Sequence, residues 1–326
     1  MTSLGHVAAI TDPGRRRRRN EDAYVCEPPL FAIADGMGGA QAGEVASRLA
    51  AAALRESGVE AGGEERIFDL IQEANRRVYD RSSTDPTTSG MGTTITVALV
   101  ENGSVAFGHV GDSRAYLIRN QKMEQITEDH SLVNELMKSG KLSREEAEAH
   151  PQRSVITRAL GTDPDVDVDT FTIAAQAGDV FLLCSDGLTD MLGEDEIFDL
   201  VERNRDDISA ALRALVKAAN RRGGEDNITV VSFEIASGPL INDGETREHV
   251  LDSRAEEEDT LTEADRVPAV DTGVISADEI QAKLREQERE ERAARRRHLR
   301  RRILARFVLL LVAVGVAIAL YLEFIR

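Results

Sequence analysis

The chain has 326 residues, 41% hydrophobic and 30% charged, with 58 acidic side chains against 40 basic ones and a net charge of −18. That length is ample for a buried core in one large domain or two ordinary ones, and the net acidity argues against general nucleic-acid binding, which needs a cationic face to displace counterions. Two cysteines, Cys26 and Cys184, exclude a disulfide framework and a cysteine-rich zinc site.

In chain order, apolar runs at 7–11 and 30–34 read as strands. Apolar residues at three- and four-residue spacing then mark helices over 43–56 and 65–81. Three strands follow at 93–100, 104–110 and 114–118, and the short turns between them predict antiparallel hairpins. A helix over 131–139 leads into a charged stretch, SREEAEAHPQRS, without a clear apolar face. The alternating acids at 163–169 read as a strand edge with a charged outer face, and an apolar strand follows at 180–185. Helices over 195–204 and 207–222 precede a last strand at 227–235. Helices set between groups of antiparallel strands make the predicted class α+β, a layered sandwich rather than a Rossmann sheet.

Beyond this globular part, residues 1–237, the character changes. Residues 238–294 are acidic and lose apolar periodicity, which predicts a mostly disordered linker, with 276–292 able to form a solvated helix capped by Ser276 and Glu279. Residues 295–302 (RRRHLRRR) form a basic juxtamembrane cluster. Residues 303–322 (ILARFVLLLVAVGVAIALYL) are apolar on every helical face apart from Arg306, long enough to span roughly 30 Å of hydrocarbon. The upstream arginines place that side in the cytoplasm by the positive-inside rule. The expectation is a tail-anchored protein of the cytoplasmic membrane, with 323–326 as a short extracytoplasmic tail.

Within the globular part, acids sit at the ends of apolar strands. Asp35 follows LFAIA and precedes Gly36; Asp112 follows AFGHVG; Asp186 follows VFLLCS, with Asp190 four residues later; Asp226 and Asn227 precede ITVVSFEI; Glu21 and Asp22 precede AYVC. One Asp-Gly after a strand is ordinary turn chemistry. Repeated placement concentrates negative charge if those ends converge, and such a cluster raises its own pKa values unless cations neutralise it. An oxygen-only donor set suits Mg²⁺ or Mn²⁺ rather than structural zinc. Two such ions sharing a carboxylate activate water and clamp a phosphoryl oxygen, chemistry that hydrolyses a phosphate ester.

The ordered set RRRRRNEDAY (15–24), IADGMGG (33–39), GTT (92–94), HVGDSRAY (109–116), DHSLV (129–133), ITRALG (156–161), CSDGLTD (184–190) and GGEDNITVV (223–231) resembles the metal-dependent type 2C serine/threonine protein phosphatases, the bacterial branch most closely. The resemblance covers residues 2–235. It implies a four-layer αββα sandwich of two antiparallel sheets flanked by helices. It implies Asp35 bridging two Mn²⁺ or Mg²⁺ ions beside the Gly36 carbonyl, Asp186 and Asp226 completing the first ion's shell, and Glu21 supporting the second with Asp22 behind it. Asp112 with Asp190 matches a third, weaker ion, and Asn227 would orient a metal-held water. Arg17 takes the phosphate-binding position, with Arg16 or Arg18 as alternatives within the run of five arginines. Met37 stands where eukaryotic members carry a histidine, which leaves the leaving-group acid open. His109 and His130 read as packing residues, Cys184 as a buried small hydrophobe, and residues 129–159 as a mobile flap. The resemblance makes phosphoproteins the substrates and eukaryotic-like bacterial Ser/Thr kinases the expected partners. A non-catalytic membrane scaffold for phosphoproteins is the alternative, against which the intact set Asp35, Asp186 and Asp226 speaks.

Overall fold

The computed structural model describes residues 4–58, 62–236 and 248–252. All belong to the first of two compact units, Met1–Ile275. The second unit, with the anticipated basic cluster and membrane helix, lies outside the described residues, as does most of the linker. Among the described residues no helix is long and apolar enough to cross a membrane.

One sheet holds β1 (Leu4–Asp12), β7 (Arg114–Arg119), β8 (Lys122–Gln125), β10 (Val180–Cys184), β11 (Ile228–Ile235) and β12 (Glu248–Asp252), in the order β12-β1-β11-β10-β7-β8. The other holds β2 (Asp22–Glu27), β3 (Leu30–Met37), β5 (Ile95–Glu101), β6 (Ser104–Val110) and β9 (Asp169–Ala174), in the order β2-β3-β5-β6-β9, with the short β4 (Gly92–Thr93) on β3. The inner faces meet through Phe31, Phe107, Phe181, Phe233, Leu183 and Val231, all fully buried. Phe31 stacks on Phe233 with ring centroids 4.2 Å apart, and Phe181 lies 5.1 Å from Phe233. Burying each ring stabilises the fold by about 1.5–3 kcal/mol. Four phenylalanines of a mainly aliphatic chain thus meet between the sheets.

Both sheets are covered on their outer faces, which is why β1 and β5 are apolar at consecutive positions rather than alternating. The helices α1 (Gly39–Glu56) and α2 (Gly63–Thr84) cover one sheet with Ala46, Ala50, Leu54, Ile67, Leu70 and Ile71. The helices α6 (Glu194–Arg203) and α7 (Ile208–Arg221) cover the other with Ile197, Val201, Leu212, Leu215 and Ala219. Asp207 caps α7 by accepting the Ala210 amide at 2.9 Å. The predicted αββα sandwich is the observed one.

Three details correct the sequence reading. Strands β5 and β6 form the predicted hairpin, but β7 crosses into the other sheet and pairs with β8 and β10, so 93–118 is not one meander. Residues 163–168 are a loop, not a strand edge; Asn75 Nδ2 donates to the Asp163 and Pro164 carbonyls, and β9 begins only at Asp169. Within the linker, β12 pairs in parallel with β1, where the open edge of that strand offers unpaired backbone groups to an extended segment.

Candidate active site

The fold brings the strand-end acids together through register. Asp22 stands opposite Asp35 across the β2–β3 pair. Asp186 follows β10 and Asp226 precedes β11, and because those strands are antiparallel both acids lie at one end of the pair. Asp112 sits in the turn by which the chain passes from β6 to β7, between the sheets. Five acids from different segments therefore meet at one rim of the sandwich.

The positions are fixed by backbone bonds. The Asp35 amide donates to Thr94 Oγ1 at 3.0 Å, while the Thr94 amide and the Thr93 hydroxyl donate to the Asp35 carbonyl at 2.8 and 2.9 Å. The Gly36 amide donates to the Glu21 carbonyl at 3.2 Å. A Cβ on Gly36 would lie 2.1 Å from the Gly43 carbonyl oxygen, and one on Gly43 would lie 2.3 Å from Glu21 Oε2. Glycine at both positions lets the start of α1 press against β3 and against Glu21.

Electrostatics mark the rim as a place for cations. Burial, then the fields of Asp22, Asp186, Asp226 and Asp112, push Asp35 well above the ordinary carboxylate range. Asp186 is pushed well up in the same way, by burial and then by Asp226, Asp112, Asp190 and Asp22. Burial takes Asp22 to about 7 against the opposing hydrogen bond from Thr229, and burial with Asp129 takes Asp112 to about 7. Glu21 and Asp190 are raised chiefly by burial. Asp22 Oδ1 and Asp186 Oδ1 are buried with no hydrogen-bond partner. Carboxylates that disfavour one another's charge, with orphaned oxygens and only oxygen donors around them, fit hard divalent cations. Among the described residues no three such side chains form a ready-made cage; Asp226 turns to Arg17 instead, accepting from Nη2 at 2.7 Å.

That ion pair places Arg17 among the acids, close enough to Glu21 and Asp35 to feel their charge. Asp190 lies at the periphery, its Oδ2 3.4 Å from Arg153 Nη2. Asn227 is fastened by three hydrogen bonds. Its Oδ1 accepts the Glu21 amide at 2.8 Å and its Nδ2 donates to the Pro13 and Arg19 carbonyls at 3.0 and 2.9 Å, so it fastens the arginine loop. Ser185, which donates to Asp22 Oδ2 at 2.9 Å, and the pair Thr93 and Thr94 have positioning roles that the sequence reading did not assign. The GTT block was visible; its hydrogen bonds were not.

His109, His130 and Cys184 are buried, as anticipated. His130 Nδ1 accepts the Gly111 amide at 3.1 Å while Nε2 bonds Asp169 at 3.0 Å, which makes Nε2 the protonated nitrogen of a neutral ring and steadies the turn before Asp112. Beside Asp112 and Asp186 opens a cavity of about 950 Å³, lined by Arg114, Asp129, Met137, Arg153 and Met191 among others. Its far wall is the segment expected to be a flap. There α3 (Leu132–Lys138) is capped by Ser131, and α4 (Arg144–Glu148) has a full capping box from Ser143 and Glu146. The charged stretch without a clear apolar face thus holds a short helix. Both ends of the segment are tied together, the Leu132 amide to the Val155 carbonyl at 2.9 Å and the Thr157 amide to the His130 carbonyl at 2.7 Å.

The family model for protein phosphatase 2C matches residues 15–228, which include every acid of the rim. The chain belongs to the protein phosphatase 2C family. This phosphatase 2C chain is 41% identical over 241 residues to the serine/threonine phosphatase stp of Listeria welshimeri, covering 70% of this chain and 95% of that one. It is 36% identical over 265 residues to the serine/threonine protein phosphatase PstP of Mycobacterium tuberculosis, covering 80% of this chain and half of PstP. The crystal structure of the Mycobacterium tuberculosis phosphatase superposes with a TM-score of 0.69 at 38% identity, over 72% of this chain and all of that one. A structure of the PstP catalytic domain in complex with two manganese ions superposes with a TM-score of 0.67 at 34% identity, over 72% of this chain and 99% of that one.

Proposed function

We infer that the rim hydrolyses phosphoserine and phosphothreonine in proteins with the help of two Mn²⁺ or Mg²⁺ ions. The chain is a protein serine/threonine phosphatase by family and by its named relatives. The observation that carries the finer reading is the convergence of Asp35, Asp226 and Glu21 around Arg17, with Asp186 beside Asp226 and Asp35.

Asp35 would be shared by both ions with the Gly36 carbonyl beside it, Asp186 and Asp226 would complete one shell, and Glu21 would support the other. Asp112 with Asp190 would hold a weaker third. Bound there, the ions supply charge neutralisation and an activated water. The protein's own contribution is placement. Arg17 offers a planar fork to two phosphate oxygens, and its bond to Asp226 sets that fork beside the metal ligands. The Asn227 clamp and the Thr93–Thr94 pair hold the loop and Asp35 so that little reorganisation is needed. Hydrolysis breaks the ester P–O bond, adds water's oxygen to phosphorus, and returns a proton to the serine or threonine oxygen. Met37 has no proton to give, so that proton comes from another group.

Residues 295–322 support a membrane anchor with the catalytic unit in the cytoplasm, where it would oppose Ser/Thr kinases at the same surface. The activity test uses the full chain in neutral detergent on a phosphothreonine peptide, with Mn²⁺, Mg²⁺ or EDTA, beside Asp35→Asn. Metal-dependent phosphate release, reduced at least about a hundredfold in the variant, is expected. A folded chain that releases no phosphate with either metal would overturn the reading.

A further inference from the structure

Both backbone polar groups of Gly111 are taken by a single residue. The Gly111 amide donates to His130 Nδ1 at 3.1 Å, and the His130 amide donates back to the Gly111 carbonyl at 2.7 Å. Gly111 directly precedes Asp112 and has φ +116°, and a Cβ there would lie 2.5 Å from that of Thr94. Thr94 in turn donates its amide to the Asp35 carbonyl at 2.8 Å, and its Oγ1 lies 2.9 Å from Ser113 Oγ. The turn that carries Asp112 is thus held from the Asp35 side by Thr94 and from the other side by His130.

His130 also stands where segment 129–159, the far wall of the cavity, begins. Its carbonyl accepts the Thr157 amide at 2.7 Å, so the two ends of that segment meet at this residue. Its Nε2 donates to Asp169 Oδ2 at 3.0 Å, and Asp169 Oδ1 accepts from Arg158 Nη1 at 2.7 Å, one residue beyond Thr157. The imidazole is 4% exposed, and all four polar atoms of the residue are bonded. An aliphatic or phenyl side chain would fill the same space, but it would make neither ring bond. We propose that His130 is a positioning residue with two separable tasks. Nδ1 sets the Asp112 turn for the cation that Asp112 holds, and Nε2, through Asp169 and Arg158, sets the end of segment 129–159 beside the cavity. An effect on substrate rests on the phosphatase reading; the effects on cation binding and on segment 129–159 do not.

Amide side chains separate the two tasks. The oxygen of asparagine takes the place of Nδ1, and the nitrogen of glutamine reaches the place of Nε2. His130→Asn therefore keeps the acceptor for Gly111 and loses the bond to Asp169, while His130→Gln does the reverse. The full chain in neutral detergent is titrated with Mn²⁺ by electron paramagnetic resonance, and Asp112→Asn identifies the binding class that belongs to Asp112. His130→Gln should weaken that class about tenfold, and His130→Asn by less than about threefold. In hydrogen exchange the order should invert, with the amides of residues 155–158 exchanging about tenfold faster in His130→Asn than in His130→Gln. His130→Asn should also raise KM for a phosphothreonine peptide about threefold or more, the change falling on KM rather than kcat. Equal effects of the two variants on cation binding or on exchange, or no binding class that Asp112→Asn removes, would overturn the proposal. An unaltered chain without turnover sinks the phosphatase reading alone, since binding and exchange still decide the roles of His130. If either His130 variant does not fold, Asp169→Ala, at a half-buried position, takes its place. Faster exchange at 155–158 with Mn²⁺ binding retained then upholds the separate tasks; unchanged exchange, or loss of the Asp112 class, rejects them.

Discussion

Asp35 pays for its position in the absence of cations. Its carboxyl is raised by burial and by four neighbouring acids, so its folded-state pKa lies above its unfolded value. Such a group contributes stability below the unfolded pKa and loses it as pH rises through the folded one. The metal-free chain should therefore weaken as pH rises from 5 to 8, and Asp35→Asn should weaken less. Thermal melts in EDTA check this; a variant that is less stable than the parent by the same margin at both pH values would refute it. His109 runs the other way. It is fully buried, with Nδ1 against Thr96 Oγ1 at 2.9 Å and Nε2 without a partner, and burial with the field of His130 lowers its pKa to about 4. Its contribution is present above the unfolded value of about 6.5 and is lost as pH falls through the folded one. Relative to His109→Gln, the parent should lose about 3 kcal/mol between pH 7 and pH 4, measured by urea denaturation in EDTA. A constant difference across that range would count against a neutral buried ring.

At the scale of elements, the site depends on how closely α1 approaches β3. Gly36→Ala would drive a methyl against the Gly43 carbonyl, backbone against backbone, where no side chain can swing away. A destabilisation of about 1–3 kcal/mol is expected, together with weaker metal activation, because Glu21 and Asp35 flank the contact. Unchanged stability and unchanged Mn²⁺ dependence would show that the helix can back off freely. The same elements show what a sequence can and cannot carry. Asp35, Asp186 and Asp226 were legible because an acid ending an apolar strand is unusual when repeated. Strands β8 and β9 were not, because β8 is polar and exposed in alternation and β9 is only half-buried, so neither has an apolar run to betray it. The passage of β7 into the second sheet was hidden for a different reason. Periodicity reports that a strand is buried, and Arg114–Arg119 is, but it does not report which strand it pairs with. The grip of Asn227 on the arginine loop was not legible, because its amide has equal chemical sense toward many partners until the carbonyls of Pro13 and Arg19 are placed.

For the whole molecule, the proposed anchor at residues 303–322 would confine the chemistry to a membrane surface. The full chain should sediment with membranes and resist alkaline carbonate, whereas a chain ending at residue 302 should be released; recovery of both in the same fraction would remove the anchor from the proposal. A further consequence lies in the pairing of β1 with β11, which joins Asp12 to Ile228. The arginine loop hangs from that pairing: Arg17 grips Asp226, and Asn227 holds the backbone of residues 13–21. A ribosome making this protein therefore releases the first half of the active site long before the second half exists. Until β11 clears the exit tunnel, the nascent chain lacks the contacts from Asp226 and Asn227 that fix Arg17 and its loop. Contacts this distant in sequence form late, so chains cut short before residue 226 should leave no active fragment behind.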